Sequence, residues 1–485
     1  MKVDYQKFPE IPEGCQLNYN KTRDVYQVFR ETREIDPSTG KKKNKRETLG
    51  QIKNGVFSFS KLYLARQQNK ILSQELKTRK AIPVYAHQSV SEISQAIQES
   101  EMEQRDCRRI TFPLEPIVQA AIMCALSGVS DCEAISQYYN DNFEYFSRCH
   151  EDLPQQPLTA DIVYRAFLKV EPEKFEEFYR KMLSHLLDKA SQGMRIISAD
   201  GQGVRATSGD RCADSRRNDC YMLMNFYDVQ RKLCLKQRLI SKKNNKITVG
   251  PEMLSTMDVA GAVITADAMS CQLSFVETVL KRSANYCVSL KGNQEKSWNE
   301  VRRLFVDTHP DQILKLELPV ELVHGRIESR TYSIIRGSLL SKVLREKWDG
   351  LQDGCVVKVS SGTVIKNTGQ ESFEDRYYIT SLPYNKTTVE DIAKVIRSHW
   401  AVENNLHWVL DVNFLQDRIQ GKDEAYISNR VGLNKLALAM IENYRFWLWD
   451  TNRVKGQMMP VKATQQRCRK PELAMECLAC SQGFL

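Results

Sequence analysis

Three acidic side chains have the positions that a metal-dependent site requires. Asp200 follows the apolar run "IISA" and Asp267 follows "VITA", so each is predicted to end a buried strand. Glu403 lies between two His-Trp pairs in "SHWAVENNLHWVLDVNFLQD". Three converging carboxylates repel one another, and divalent cations that prefer oxygen ligands, such as Mg²⁺, remove that repulsion. These residue types indicate phosphoryl transfer at a pair of metal ions.

The segment around Glu403 is predicted to be one helix from Val389 to Phe414, because neither Pro nor Gly interrupts it. At 3.6 residues per turn, His399, Glu403 and His407 fall on one polar stripe, and the opposite side is apolar. An ordinary amphipathic helix with solvated charges has the same pattern, so the stripe alone does not decide its role. The two Trp residues of this segment are expected to pack in the core rather than to stack on a base.

Two other arrangements of the site are open at this stage. The spacing allows a zinc site made of His399, Glu403 and His407, but a site of the HExxH type has histidines four apart with an adjacent glutamate. That site also leaves both aspartates unexplained. Glu328 is an alternative third carboxylate, but it lies in strand-like sequence, so Glu403 is preferred.

The charge balance favours a polyanionic partner. Lys and Arg number 70 against 60 Asp and Glu, a net charge of +10, and tight basic runs occur at Lys41–Arg46 and Arg467–Lys470. The sequence shows no signal peptide, and no stretch reaches the ~20 apolar residues of a membrane span. The expected location is therefore the cytoplasm, with no membrane partner.

The 14 cysteines follow no regular framework of spacings. Cys477 and Cys480 form a CxxC pair with Cys468 upstream, but a fourth ligand for a structural zinc site is not evident nearby. We interpret these cysteines as reduced thiols, and a metal knuckle is the alternative.

The distribution of strand-like and helical sequence predicts an α/β protein with additional modules. The expected divisions are a small β module with a basic loop at 1–62, a charged helical connector at 63–105, a helical domain at 106–190, an α/β domain at 194–447 with a β-rich stretch at about 310–383, and a basic tail at 448–485.

A set of motifs resembles the DDE-class insertion-sequence transposases, in the ISAs-type branch that includes the H-repeat-associated proteins. The motifs are "DGQGVR" at Asp200, "NNKITVGPEML" at Asn244, "ITADAMSCQ" at Ile264, "YCVSLKGNQ" at Tyr286, "HGRIESR" at His324, "YYITSL" at Tyr377 and "RSHWAVENNLHWVLDVNF" at Arg397. The helical segment "RRITFPLEPIVQAAIMCALSGVSD" is similar to that family's associated N-terminal domain. The resemblance covers about residue 106 to the C-terminal tail.

The resemblance implies an RNase H-like catalytic core with a β-rich insertion and a triad at Asp200, Asp267 and Glu403. It implies Mg²⁺ or Mn²⁺, two ions, as the cofactor, and double-stranded DNA as the partner, both terminal inverted repeats and target DNA. The implied reactions are strand cleavage and transfer of the 3′-hydroxyl, by a homodimer or larger assembly in the DNA complex, at the nucleoid.

Residues outside the triad are expected to contact DNA. They are His399, Asn404, His407, Arg326, Arg330 and Lys291, together with Lys41, Lys42, Lys43, Lys45 and Arg46 in the basic loop.

Four positions depart from the family's pattern: Gln202 replaces a lysine, Lys246 an acid, Gln416 one of an acidic pair, and Gln420 an arginine. The alternative function is therefore a transposase-derived protein that binds DNA without catalysis.

Overall fold

The strands form a four-stranded sheet near the N-terminus and a ten-stranded mixed sheet farther along the chain. The structure is a computed structural model that describes residues 2–35, 42–64, 66–67, 82–188, 193–207, 220–240, 246–323 and 325–485. The strands are β1 (Gln16–Asn20), β2 (Val25–Ile35), β3 (Lys42–Lys53), β4 (Val56–Phe59), β5 (Ile196–Val204), β6 (Tyr221–Asp228), β7 (Leu233–Ile240), β8 (Val263–Ala266), β9 (Asn285–Leu290), β10 (Leu314–Glu317), β11 (Glu321–Val323), β12 (Arg326–Arg336), β13 (Cys355–Ile365) and β14 (Glu371–Thr380).

The helices cover both faces of the larger sheet. They are α1 (Val84–Glu99), α2 (Leu114–Leu126), α3 (Cys132–Asp141), α4 (Phe143–Cys149), α5 (Ala160–Lys169), α6 (Pro172–Met182), α7 (Ser184–Leu187), α8 (Lys246–Ser255), α9 (Leu273–Lys281), α10 (Glu295–Asp307), α11 (Lys342–Lys347), α12 (Val389–His399), α13 (Trp408–Asn413), α14 (Glu424–Asp450), α15 (Val461–Arg467) and α16 (Pro471–Ser481). This arrangement confirms the α/β class expected from the sequence.

The N-terminal sheet is an antiparallel meander in the order β1-β2-β3-β4. The prediction of a basic loop is wrong for residues 42–46, which begin β3 and pair with β2. In this pairing Arg46 lies opposite Glu31, and a pair of opposite charges in register favours strand pairing. The Arg46 guanidinium lies 3.4 Å from the centre of the Phe29 ring. Lys41 lies outside the described residues, as do the side chains of Lys42, Lys43 and Lys45.

The larger sheet has the order β10-β12-β13-β14-β9-β8-β5-β6-β7, with β11 paired to β12. Its β5, β6 and β7 form an antiparallel meander, whereas β8 and β9 run parallel to β5. The parallel strands are short apolar runs, as expected for strands covered on both faces. Residues 310–383 supply β10 to β14, which extend the sheet beyond β9 through the antiparallel pair β9–β14.

Alternation along β5 assigns its residues to two different layers. Ile197 and Ala199 face a core covered by α8, α9, α10 and α11. Ile196 belongs to the core beneath α12 on the opposite face. Asp200 is four residues after Ile196, so the two side chains lie on the same face of the strand. This face is covered by the C-terminal helices.

One helical core joins the N-terminal helices to the C-terminal ones. The 27-residue helix α14 is central to it and packs against α2, α5, α6 and β7. Residues 448–485 were expected to form a basic tail, but they contain α15 and α16, and Met475, Cys477 and Leu478 are buried in this core. Most charged residues of this segment are exposed, and its apolar positions complete the helical layer.

Within the described part of the chain, no helix combines the length and apolar character needed to cross a membrane.

Candidate active site

Asp200 and Asp267 lie at neighbouring positions on two parallel strands. Ala199 of β5 is in register with Ala266 of β8, and each aspartate is the next residue along its strand. Asp267 follows β8 as predicted, and its Oδ1 accepts the Ser270 N–H at 3.0 Å. The prediction that Asp200 ends its strand is wrong, because β6 continues to pair with β5 as far as Val204. Both carboxylates are half-buried and lie side by side on one face of the sheet.

His407 is the imidazole next to Asp200. Its Nδ1 lies 3.7 Å from Asp200 Oδ2, and the two side chains are 12% and 14% exposed. The other oxygen of this carboxylate, Oδ1, accepts the Gly201 N–H at 2.7 Å. His407 Nε2 lies 3.1 Å from Nδ2 of Asn225, the residue opposite Asp200 on β6. Asp200 is therefore held by a hydrogen bond at Oδ1, and its Oδ2 faces the His407 ring.

His399 is bound to the neighbouring strand pair through hydroxyl groups. Its Nδ1 lies 3.1 Å from Thr265 Oγ1, which donates to Ser198 Oγ at 3.1 Å, and Ser198 Oγ donates to the Ser398 carbonyl at 3.1 Å. Because the Thr265 hydrogen points to Ser198, its oxygen accepts from His399, and the proton of the neutral ring is on Nδ1. Burial lowers the pKa of His399, while the charge of Asp267 opposes this shift.

Glu403 lies in a π-turn, and the prediction of one continuous α-helix is wrong here. After α12 the chain forms a π-helical turn at Val402–His407, in which the Trp408 N–H bonds to the Glu403 carbonyl. A π-turn accommodates an additional residue, so the polar stripe expected from a period of 3.6 is divided. The turn packs on β5 with Val402 and Leu406 buried, and Glu403 and Asn404 are exposed.

The structure thus brings Asp200 and Asp267 together but does not gather all three predicted carboxylates. Within the described ranges, no group of three or more His, Cys, Asp or Glu side chains is arranged to hold a metal ion. The same finding disfavours the zinc site of His399, Glu403 and His407, whose histidines contact different strands. Glu328, the alternative third carboxylate, accepts a hydrogen bond from Arg330 at 2.8 Å.

The thiols of the CxxC segment lie in the helical core. Cys468, Cys477 and Cys480 are all buried there, and burial raises the pKa of the Cys477 thiol well above its ordinary value. A protonated thiol is a poor metal ligand, because the thiolate is the form that binds metals.

Two arginines flank Trp400, the residue that follows α12. The Arg330 and Arg376 guanidinium carbons lie 5.4 and 5.3 Å from the centre of its ring, which is within the range of cation–π attraction. Arg376 was missed in the sequence, although it lies in a strand whose first half is rich in charged residues, "ESFEDRYYIT". Trp400 is half-buried and Trp408 is 59% exposed, so the expectation of core packing is wrong for Trp408.

Comparison with known proteins assigns the chain to a family. The sequence model described as "Transposase DDE domain" matches residues 191–440, slightly more than half of the chain. The chain belongs to the DDE transposase family. The matched range contains β5 to β14 and most of α14, so it includes both aspartates, both site histidines and Glu403.

Relatives of this DDE transposase include two proteins of Escherichia coli K12. YbfL is 27% identical over 349 residues, which are 70% of this chain and 87% of YbfL. The H repeat-associated protein YhhI is 26% identical over 349 residues, again 70% of this chain and 87% of the relative. A solved piggyBac transposase synaptic complex with hairpin DNA has a TM-score of 0.40 and 10% identity, covering 84% of this chain and 81% of that one.

Two departures from the family's pattern meet in one buried network of the DDE domain. Gln416 Nε2 donates to Gln202 Oε1 at 2.9 Å, and Gln202 Nε2 donates to Asp411 Oδ1 at 3.0 Å. Burial is the main cause that raises the pKa of Asp411 to about 6, and the charge of Asp417 adds to it. Arg205 opposes this shift, and its Nε lies 3.3 Å from Asp417 Oδ2. The network links the strand of Asp200 to the helix that follows Glu403.

Asp411→Asn is expected to raise the free energy of unfolding at neutral pH by about 1 kcal/mol, after allowance for solvent screening. The pKa of Asp411 is about 6 when folded and ordinarily 3.8, so the folded protein binds more protons between these values. Stability therefore falls as the pH rises from about 4 to 6. The asparagine has no charge and keeps an acceptor for Gln202.

Chemical denaturation at pH values across that window measures the effect. The variant should lose this component of the pH dependence, and Asp353→Asn, at an exposed position, should keep it. An unchanged pH slope in Asp411→Asn would show that this carboxyl group titrates normally.

The remaining predicted DNA contacts lie at different places. Arg326 is exposed at the start of β12. Gln420, which departs from the family's pattern and was not predicted to contact DNA, is exposed after α13. Lys291 is exposed directly after β9, whose parallel pairing with β8 brings it to the edge where Asp267 lies. The Lys246 side chain is outside the described part of the structure.

Proposed function

We propose that this protein binds the ends of a DNA element, cleaves the DNA strand with the help of divalent metal, and transfers the freed 3′-hydroxyl to target DNA. Asp200, Asp267 and Glu403 are the proposed catalytic carboxylates. The observation that carries the proposal is the side-by-side position of the two aspartates on β5 and β8, next to the π-turn of Glu403, in a chain of the DDE transposase family.

The strand order supports an RNase H-like core within this family. In the series β7-β6-β5-β8-β9, three antiparallel strands are followed by two that run parallel to the first of them. Strands β10 to β14 then form an insertion between Asp267 and Glu403, and this insertion accounts for the long separation of these two residues in sequence. The modules at 1–62 and 106–190 are proposed to be a DNA-contact module and the family's associated helical domain.

Carboxylates are the hard oxygen ligands that Mg²⁺ and Mn²⁺ prefer, so the side chains present fit these ions. Asp200 and Asp267 would hold them, and Glu403 would complete the set from the π-turn. A pair of such ions supplies activation of the attacking oxygen and neutralisation of charge on the phosphate. The chain itself orients its carboxylates, through the Gly201 N–H at Asp200 and the Ser270 N–H at Asp267.

The proposed DNA path passes along the carboxyl edge of β8 and β9. Lys291 lies at this edge, and the Trp400–Arg330–Arg376 cluster lies where the insertion meets α12. Cationic side chains there would contact phosphates, which carry no sequence information but position the duplex. Synapsis of two element ends requires two sites, so we propose a homodimer or larger assembly on DNA, at the nucleoid.

Lys291→Gln is expected to weaken DNA binding and to reduce the slope of log affinity against log salt by about 0.9, the loss of one phosphate contact. The matched control is Lys281→Gln. Lys281 is also exposed, but it ends α9 and lies on the side where β9 begins, away from the aspartates. Fluorescence anisotropy over a salt series measures both slopes, and equal slopes for the two variants would remove Lys291 from the DNA interface.

The proposed activity is tested with a duplex taken from the DNA that flanks the gene. Incubation with Mg²⁺ should produce strands with 3′-hydroxyl ends, and added target DNA should become joined to them. Tight binding without any cleavage in Mg²⁺ or Mn²⁺ would instead favour the non-catalytic DNA-binding protein. The observation that favours this second function is the pair Gln202–Gln416, in which uncharged side chains replace the charged residues of the family's pattern.

A further inference from the structure

A buried lysine lies behind the candidate site. Lys435 of α14 is 2% exposed, and its ammonium group donates to the side-chain oxygens of Asn225 and Gln237, the latter at 2.6 Å. Lysine is seldom buried, because loss of hydration disfavours its charge, and this burial lowers the pKa of Lys435. Both partners are neutral amides, so no opposite charge compensates the ammonium group. Its contribution is to fix the direction of these hydrogen bonds.

The ammonium group determines how the two amides are oriented, because it can donate but cannot accept. Asn225 must present Oδ1 to Lys435, so its Nδ2 faces His407. Gln237 is oriented in the same way, since its Oε1 faces the lysine and its Nε2 donates to the Ser428 carbonyl at 3.0 Å. Both amides therefore have a single consistent orientation.

The orientation of Asn225 determines which nitrogen of His407 carries the proton. Asn225 Nδ2 donates across 3.1 Å to His407 Nε2, so Nε2 is the acceptor. The neutral ring then carries its proton on Nδ1, the atom that lies 3.7 Å from Asp200 Oδ2. The direction of each hydrogen bond from Lys435 to His407 follows from one group that cannot accept, and the protonated Nδ1 then faces Asp200.

We propose that Lys435 and Asn225 are positioning residues that hold His407 as its Nδ1–H tautomer, with the proton directed at Asp200. The functional part of this inference rests on the proposed role of Asp200. A protonated nitrogen 3.7 Å from one oxygen attracts the carboxylate and leaves its lone pairs for other ligands. The arrangement joins four residues from β5, β6, the π-turn and α14.

The tautomer is measured directly by long-range ¹H–¹⁵N correlation spectra of protein labelled in its histidines, at about pH 7.5, which is above the ordinary pKa of imidazole and keeps the Lys435 ammonium group charged. Loss of a signal set in His407→Gln assigns the ring. The wild-type spectrum should show a protonated Nδ1 and an unprotonated Nε2. His399, whose Nδ1 faces Thr265, serves as an internal reference for the same tautomer. A protonated Nε2 on His407 in the wild-type protein would overturn the proposal without any variant.

Asn225→Asp keeps nearly the same side-chain shape but replaces the group that donates to His407 Nε2 by one that can only accept. Both oxygens of the new carboxylate accept, so His407 Nε2 must now donate, and its signal should move to the protonated position. Lys435→Met keeps the length of the side chain but removes the donor, so both tautomers should appear. Unchanged His407 signals in folded Asn225→Asp protein would contradict the proposal.

Cleavage kinetics separate this inference from the proposed function. Asn225→Asp should lower the cleavage rate by about 10- to 100-fold with unchanged affinity for DNA, as expected for a residue that supports a ligand. If the wild-type tautomer is as expected but the protein cuts no DNA, the positioning of His407 by Lys435 and Asn225 is supported and the proposed catalysis is contradicted. If cleavage occurs and His407 carries its proton on Nε2, the proposed catalysis is supported and the proposed role of Lys435 and Asn225 is contradicted.

Discussion

Replacement of Asp200 or Asp267 by asparagine is expected to lower the rate of DNA strand cleavage by about 1,000-fold or more. The two carboxylates lie at adjacent positions on parallel strands, and each is oriented by hydrogen bonds. An amide has the same shape but lacks the charge that balances a divalent cation, so the fold should persist while catalysis is lost. Glu403→Gln is expected to act in the same way, from the π-turn.

The control for this series is Asp258→Asn. Asp258 is exposed in the loop that precedes β8, at the opposite end of the strand from Asp267. The Asp258→Asn protein should cleave at the wild-type rate, and all variants should bind DNA and unfold at similar temperatures. Near-normal cleavage by any one of the three site variants would remove that residue from the triad.

The largest expected effect on stability is at the C-terminal helices. Leu478 of α16 is fully buried in the helical core, so Leu478→Ala should lower the free energy of unfolding by about 2–5 kcal/mol, through lost burial and the cavity left behind. Leu485→Ala is the matched control, because Leu485 is 41% exposed and should cost little. Equal effects of the two substitutions in chemical denaturation would restore the interpretation of this segment as a tail.

Much of the α/β core could be predicted because its signals are local. The run "VITA" between turn-forming residues predicted β8 and placed Asp267 directly after it, as the structure shows. The apolar run before Asp200 predicted β5 but not its end. The strand continues through polar Gln202 because β6 pairs with it, and pairing with a distant segment is not visible in a local pattern.

The site helix shows where periodicity fails. A period of 3.6 residues places Glu403 between His399 and His407, and nothing in the composition of "VENNLH" signals a π-turn. The wider turn follows from packing: Val402 and Leu406 are buried while His407 reaches Asp200. Such a local departure from α-helical geometry satisfies contacts that only the folded sheet creates.

The C-terminal segment and the buried lysine could not be recognised for a related reason. Residues 448–485 contain six Lys or Arg against three Asp or Glu, which suggested a basic tail, and the apolar positions of α16 are explained only by their packing against α14. From the sequence, Lys435 is expected to be a surface residue of a helix. In the structure it contacts Asn225, which is 210 residues away along the chain. Contacts between distant segments build this part of the site.

The central claim is that Asp200 and Asp267 support metal-dependent cleavage of DNA, and one cleavage assay tests it most directly. Protein treated with EDTA is incubated with the flanking-sequence duplex and with Mg²⁺, Mn²⁺ or Zn²⁺, next to the double variant with Asp200→Asn and Asp267→Asn. We predict cleavage by the wild-type protein in Mg²⁺ and Mn²⁺, and none by the double variant in any ion. Cleavage that persists in the double variant, or that only Zn²⁺ restores, would contradict the account.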